Sequence, residues 1–265
     1  MNGVVGNSAD YPKAFWCSNL HELLLARAYL ASTPWPKQAA APVLFAPAEA
    51  ESLFEMDVLK PEVHSLPIDL GFQYEGWLVR RRRKAWLKGL AEGYGLSSVV
   101  VWSAQVDSLM RLLESVDVTR QDWSDFELET VDSVPTLQAG PKALSRSTHF
   151  YRKVSPHALK IVCVLDCGQV SEGQEASLFA DLQMQMAEQE QLAQRLHTTL
   201  VVTYLALQPQ SALQKRQLKE LQPYMQFEGI AGLIGHIAYS DRVISNSRAV
   251  TLLCHQMRRD SPVLL

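Results

Sequence analysis

Short apolar runs and amphipathic stretches alternate along most of this 265-residue chain, and that alternation limits its possible folds more than any other feature. Ala14-Phe15-Trp16-Cys17 is apolar and ends at Ser18-Asn19, residue types that cap helices. Residues 20–30 follow, with Leu20, Leu23, Leu24 and Arg27 at helical spacing. After a Pro-Trp-Pro turn, residues 42–47 read as a second strand bounded by prolines, and residues 63–67 as a weaker third. Residues 77–92 form a helical stretch that Gly93-Tyr94-Gly95 ends, with Trp77, Leu78, Ala85, Trp86 and Leu90 expected on its core side. Residues 98–102 then read as a buried strand and residues 105–114 as a helix. This β-α-β-α rhythm predicts a mainly parallel sheet covered on both faces.

Between residues 116 and 156 the periodicity weakens, and Gln138-Ala139-Gly140-Pro141 reads as a breaker. One strand is expected near residues 126–131. A second α/β block follows: strand 159–165, helix 175–197, strand 199–205, helix 215–221, a short extended piece at 224–227 and helix 230–239. Strand 242–245, a helix carrying Val250, Leu253, Cys254 and Met257, and strand 262–265 close it. The expectation is an α/β protein of two Rossmann-like halves with mainly parallel sheets. The first spans residues 1–140, a connector 141–157, and the second 158–265. No sequence repeat links the halves, and a ligand site is expected at a cleft between them.

Composition narrows the function classes. A net charge of −3 excludes a globally basic nucleic-acid binder, so no nucleic-acid partner is expected. Four cysteines (Cys17, Cys163, Cys167 and Cys254) are too few for a disulfide framework. No His or Cys pair at zinc spacing stands near them, so no metal site is expected. The first residues lack the basic start and apolar stretch of a signal peptide, and no run reaches the ~18–20 apolar residues of a membrane span. A cytoplasmic location is expected. There is no Gly-rich phosphate loop, HExxH or nucleophile elbow, and no cofactor is expected.

The sharpest electrostatic feature is the run Arg80, Arg81, Arg82, Arg83 and Lys84. It reads as a solvated helix face or, alternatively, as a weak contact with an anionic inner-membrane surface, worth about 1 kcal/mol per basic residue near the lipid.

The last sixty residues carry the most informative pattern: an apolar strand running into Gln208-Pro209, then Glu228 before an apolar helix, then Ser245-Asn246-Ser247 between a strand and a helix. Free N–H groups at such a helix start favour a phosphate. The stretch resembles the nucleotide-sugar half of a GT-B glycosyltransferase. It is most similar to bacterial sialyltransferase and polysialyltransferase families, where a strand ends in His-Pro, a Glu precedes a helix and a hydroxyl cluster opens the next. Residues 15–26, with His21, resemble that family's opening strand, loop and helix.

The resemblance implies donor binding by Gln208, Pro209, Glu228, Ser245, Asn246 and Ser247. It also implies a general base, for which Glu129 and Asp132 are the nearest carboxylates and His21 a further candidate. The implied partners are a nucleotide-sugar donor (of sialic or another acidic sugar) and an oligosaccharide or glycolipid acceptor, in surface polysaccharide synthesis. Gln208 stands where the family has histidine. Two alternatives remain open. Residues 243–265 are similar to the end of polysaccharide pyruvyltransferases, with Ala249-Val250 after Arg248 in place of Arg-x-His. A non-catalytic binding module on a degenerate GT-B scaffold is the other.

Overall fold

The computed structural model describes residues 13–35, 40–47, 49–65, 77–102, 113–123, 134–166, 175–207, 212–260 and 262–264. The chain divides into two compact units, Met1–Ser133 and Val134–Leu265.

The first unit contains β1 (Ala14–Trp16), α1 (Leu20–Ser32), β2 (Val43–Ala46), a 3-10 turn (Ala50–Leu53), β3 (Glu62–Ser65), α2 (Trp77–Tyr94), β4 (Ser98–Val101) and β5 (Thr119–Asp122). Its strands pair in parallel in the order β3-β2-β1-β4-β5. The alternation of a strand sends Ala14 and Trp16 to one face and Phe15 to the other. Ala14 and Trp16 join Val43, Phe45, Val99 and Val101 in a cluster that Leu87 and Ala91 of α2 cover. α1 is buried over most of its surface, including Glu22 and Arg27. Arg27 is 0% exposed and pairs with Asp57 at 2.6 Å, while its Nε donates to the Leu53 carbonyl.

The second unit contains α3 (Pro141–Tyr151), β6 (Leu159–Asp166), α4 (Glu175–Arg195), β7 (Leu200–Leu207), α5 (Ala212–Leu221), β8 (Gln226–Phe227), α6 (Ile230–Tyr239), β9 (Arg242–Ser245), α7 (Arg248–Gln256) and β10 (Val263–Leu264). Its parallel order is β10-β9-β6-β7-β8. In chain order the two sheets have one topology: the first strand lies at the centre, the next two to one side, the last two to the other. The repeat that the sequence does not show is present in the connections. Ile161, Cys163 and Leu165 of β6 pack with Phe179, Leu182 and Met186 of α4. On the other face α3 lies along α6, tightly enough that Gly235 has no room for a side chain.

Three expectations change. Residues 141–157, expected as an irregular connector, open with α3. Gly140 is its N-cap and Pro141 its first residue, a place where a missing N–H costs nothing. Along the chain the second unit begins at Val134, ahead of this helix. A strand, β5, lies at Thr119–Asp122, where polar residues hide an edge strand from any hydrophobic period. The strand expected at 126–131 lies outside the described residues, as does most of the helix expected at 105–114. Finally, α2 buries Leu87 and Ala91, with Leu90 partly covered, whereas Ala85 and Trp86 are exposed. The side chains of Trp77 and Leu78 lie outside the described set.

Candidate functional site

In an open parallel sheet, ligands gather at the carboxyl ends of strands where successive connections leave in opposite directions. In the second sheet that point lies between β6 and β9. β6 ends at Asp166 and β9 at Ser245, and the turn Asn246-Ser247 opens α7. A dense hydrogen-bond set ties the two strand ends together. Asn246 Oδ1 accepts from the Asp166 N–H at 2.8 Å, and its Nδ2 donates to the Asp166 carbonyl at 3.4 Å. The Ser245 hydroxyl donates to the Val164 carbonyl at 2.9 Å and accepts from the Ser247 N–H at 3.1 Å. The Ser247 hydroxyl donates to Asp166 Oδ2 at 2.8 Å.

Ser245 and Ser247 are both 0% exposed. Ser247 is the N-cap residue of α7, yet its side chain makes no capping bond because it is turned to Asp166. The two hydroxyls expected to meet a phosphate are thus engaged in joining β6 to α7, and a carboxylate stands beside that helix start. Asn246 is half-buried.

Glu228 lies one residue before the N-cap of α6, Gly229, and beyond the carboxyl end of β8. Its carboxylate folds back over the first turn: a Cβ built on Gly232 would meet Glu228 Oε2 at 2.1 Å. A negative group in that position complements the free N–H groups and positive end of the helix. Lys215 and Lys219 of α5 stand over the Phe227 ring at 5.8 and 5.5 Å, bringing two ammonium groups to the residue that precedes Glu228. The structure therefore gathers Glu228, Asn246, Asp166 and this lysine pair at the carboxyl edge of one sheet. Gln208 and Pro209 lie outside the described residues.

In the first sheet the corresponding point lies between β1 and β4. Asn19 caps α1 by accepting from the Glu22 N–H at 3.0 Å. Glu22 Oε2 accepts from the N–H and hydroxyl of Ser18 at 2.7 and 2.8 Å. Glu22 is 4% exposed, and burial raises its carboxyl pKa against the lowering effect of those bonds. Burial also pushes the neighbouring Cys17 thiol well up, with a further push from Glu22. His21 is exposed on the same turn. Glu129 and Asp132 lie outside the described residues.

Sequence reasoning missed Asp166, Glu22, Lys215 and Lys219. The spacing Asn19-x-x-Glu22 was a readable capping pattern. Asp166 had a weaker signal, a charge ending an apolar strand. Arg81 and Lys84 are exposed on α2, and the side chains of Arg80, Arg82 and Arg83 lie outside the described set. Among the described residues no three His, Cys, Asp or Glu side chains come together as a metal site, and no helix is long and apolar enough to cross a membrane. His236, given no role in sequence, is buried at 3% exposure against Tyr151, with its Nδ1 3.3 Å from the phenol oxygen.

The fold and edges define an α/β protein of two parallel-sheet units with Rossmann-type topology. No family model matches the chain, and no curated protein matches it in sequence. Among solved structures it is similar to ADP-heptose LPS heptosyltransferase II of E. coli, with a TM-score of 0.45 and 11% identity over 92% of this chain and 82% of that one. It is also similar to a glycosyltransferase from Rickettsia africae, with a TM-score of 0.36 and 13% identity over 94% and 78%. Both of these neighbours are glycosyltransferases.

Proposed function

We propose that the chain is a glycosyltransferase-like protein that binds a nucleotide sugar at the carboxyl edge of its second sheet. The observation that carries this reading is that Asp166, Asn246 and Glu228 all stand at the carboxyl ends of strands of one sheet, the first two joined at the switch point between β6 and β9. Carboxylates accept hydrogen bonds from hydroxyls and repel phosphate, so Glu228 suits a ribose or sugar diol. The diphosphate belongs nearer Lys215 and Lys219, where positive charge is at hand; the motif resemblance adds Gln208 and Pro209 as donor contacts. Ser245 and Ser247 hold the edge in shape.

In transfer, a base takes the proton of an acceptor hydroxyl, whose oxygen bonds to the anomeric carbon as the bond to the nucleotide phosphate breaks. Glu129, Asp132 and His21 are the candidates for that base. A sialic or other acidic sugar, and an oligosaccharide or glycolipid acceptor in surface polysaccharide synthesis, fit the motif resemblance. The exposed Arg81 and Lys84, with Arg80, Arg82 and Arg83 beside them in sequence, would favour a peripheral contact with an anionic membrane.

A second reading has its own observation. The starts of α6 and α7 each carry one of the chain's own carboxylates, Glu228 and Asp166, where a donor phosphate would otherwise sit. That arrangement suits a non-catalytic binding module. Calorimetry with cytidine, uridine and adenosine diphosphates separates the two readings. The enzyme reading expects high-micromolar to millimolar binding that weakens about tenfold in Glu228→Gln, the loss of a charge-assisted hydrogen bond. No binding by any of the three leaves the module.

A further inference from the structure

At the opposite, amino edge of the second sheet, a cavity of about 470 Å³ opens between the start of β9 and the turn that follows α7. Ser240, Asp241, Arg242, Arg258, Arg259 and Asp260 are among its lining residues. We propose that it binds a small phosphorylated anion, held by Arg242, Arg258 and Arg259. Its volume lies within the ~300–1,000 Å³ of small-molecule sites.

The way the arginines are held supports this. Arg242 donates to Gln189 Oε1 at 3.2 Å, and Gln189 is itself 4% exposed. Arg259 donates to the Ser240 carbonyl, and Arg258 Nη2 to the Val134 carbonyl at 3.4 Å. These acceptors are neutral. They orient the Arg242 and Arg259 guanidiniums without neutralising them, and neither forms an ion pair among the described residues. Of the two carboxylates on the wall, Asp241 is already committed. It accepts from the Lys160 N–H at 2.8 Å and faces the Lys160 ammonium at 3.9 Å. Even with Asp260 counted, the arginines of the lining outnumber its carboxylates, in a chain whose net charge is −3.

Helix α7 ends with Arg258 in the left-handed region (φ 55°), its N–H bonded to the His255 carbonyl and that of Arg259 to Cys254 at 2.9 Å. The negative end of that helix explains why basic residues follow it. It does not explain Arg242, which stands on β9. A planar guanidinium binds two phosphate oxygens at once, and pre-oriented groups lose less freedom on binding.

Titration of the full chain with inorganic pyrophosphate, followed by calorimetry, tests the site. The expected result is binding in the high-micromolar to low-millimolar range, weakened roughly tenfold in Arg242→Gln and further in Arg242→Gln/Arg259→Gln. Binding should be unchanged in Lys88→Gln, an exposed basic residue of the first unit outside both sites. Arg242→Gln leaves the Arg259–Ser240 bond intact, so it remains informative if the double variant unfolds. Co-sedimentation with phosphatidic acid vesicles identifies the source. Loss in the same variants points to a lipid headgroup, and binding of pyrophosphate alone points to a soluble phosphate. No binding at about 10 mM pyrophosphate, or binding indifferent to Arg242→Gln in a folded protein, overturns the proposal.

Discussion

Replacing Gly235 by alanine should destabilise the second unit, while the same change at Gly89 should stabilise the first. A Cβ at Gly235 would stand 2.3 Å from the Ala143 carbonyl oxygen and 2.3 Å from the Ser147 hydroxyl, against an ordinary contact that begins near 3.4 Å. Backbone is the obstacle, so α3 and α6 must part by about 1 Å. Overpacking of this kind costs about 1–3 kcal/mol. Parting also stretches the Thr148–Tyr239 and Tyr151–His236 hydrogen bonds, now 3.0 and 3.3 Å, each worth about 1 kcal/mol. Removing a glycine from a helix returns about 0.5–1 kcal/mol. The net expectation is a loss of about 2–3 kcal/mol. At Gly89, exposed on α2 with nothing within 4 Å of a built Cβ, only the gain remains. Urea denaturation followed by circular dichroism reads both. A Gly235→Ala protein as stable as the parent would refute the close crossing of α3 and α6.

Three more expectations follow from the same contacts. Burial lowers the His236 pKa from 6.5 to about 4, so the unfolded chain takes up that proton at a higher pH than the folded one. Stability should be full above about pH 6.5 and fall as pH drops towards 4, by up to ~3 kcal/mol. Urea midpoints at pH 7, 6 and 5 should show this slope in the parent and lose it in His236→Gln. Asn246→Ala removes two bonds to the Asp166 backbone and should cost about 1–2 kcal/mol by thermal denaturation; an unchanged Tm would count against the joined strand ends. Replacing Arg81, Arg82 and Arg83 by Gln should reduce co-sedimentation with anionic vesicles and its dependence on salt, and no change in either would leave the run a solvated helix face.

The elements were legible wherever the core imposed a period. Helix 230–239 and strand 242–245 agree with α6 and β9 residue for residue, because an apolar helix and an apolar strand lie between clear caps. What escaped was structure made by polar residues. β5 is Thr-Arg-Gln-Asp at a sheet edge, and α3 begins at a Gly-Pro pair that serves turns and helix starts equally well. The phase of α2 was misread because Trp86, Leu87 and Leu90 leave two helical stripes open to the sheet, and it is Leu87 with Ala91 that packs there. At the site, sequence located the Ser245-Asn246-Ser247 turn but not its orientation. Which way a hydroxyl faces depends on Asp166, some eighty residues earlier, and only the pairing of β6 with β9 brings them together.

The central claim is that the carboxyl edge of the second sheet takes the nucleotide sugar, and amide NMR shift mapping during nucleoside diphosphate titration tests it most directly. The account predicts saturable shifts centred on Asp166, Glu228, Asn246 and Ser247, diminished in Glu228→Gln. An unchanged spectrum, or shifts confined to residues away from that edge, would contradict it.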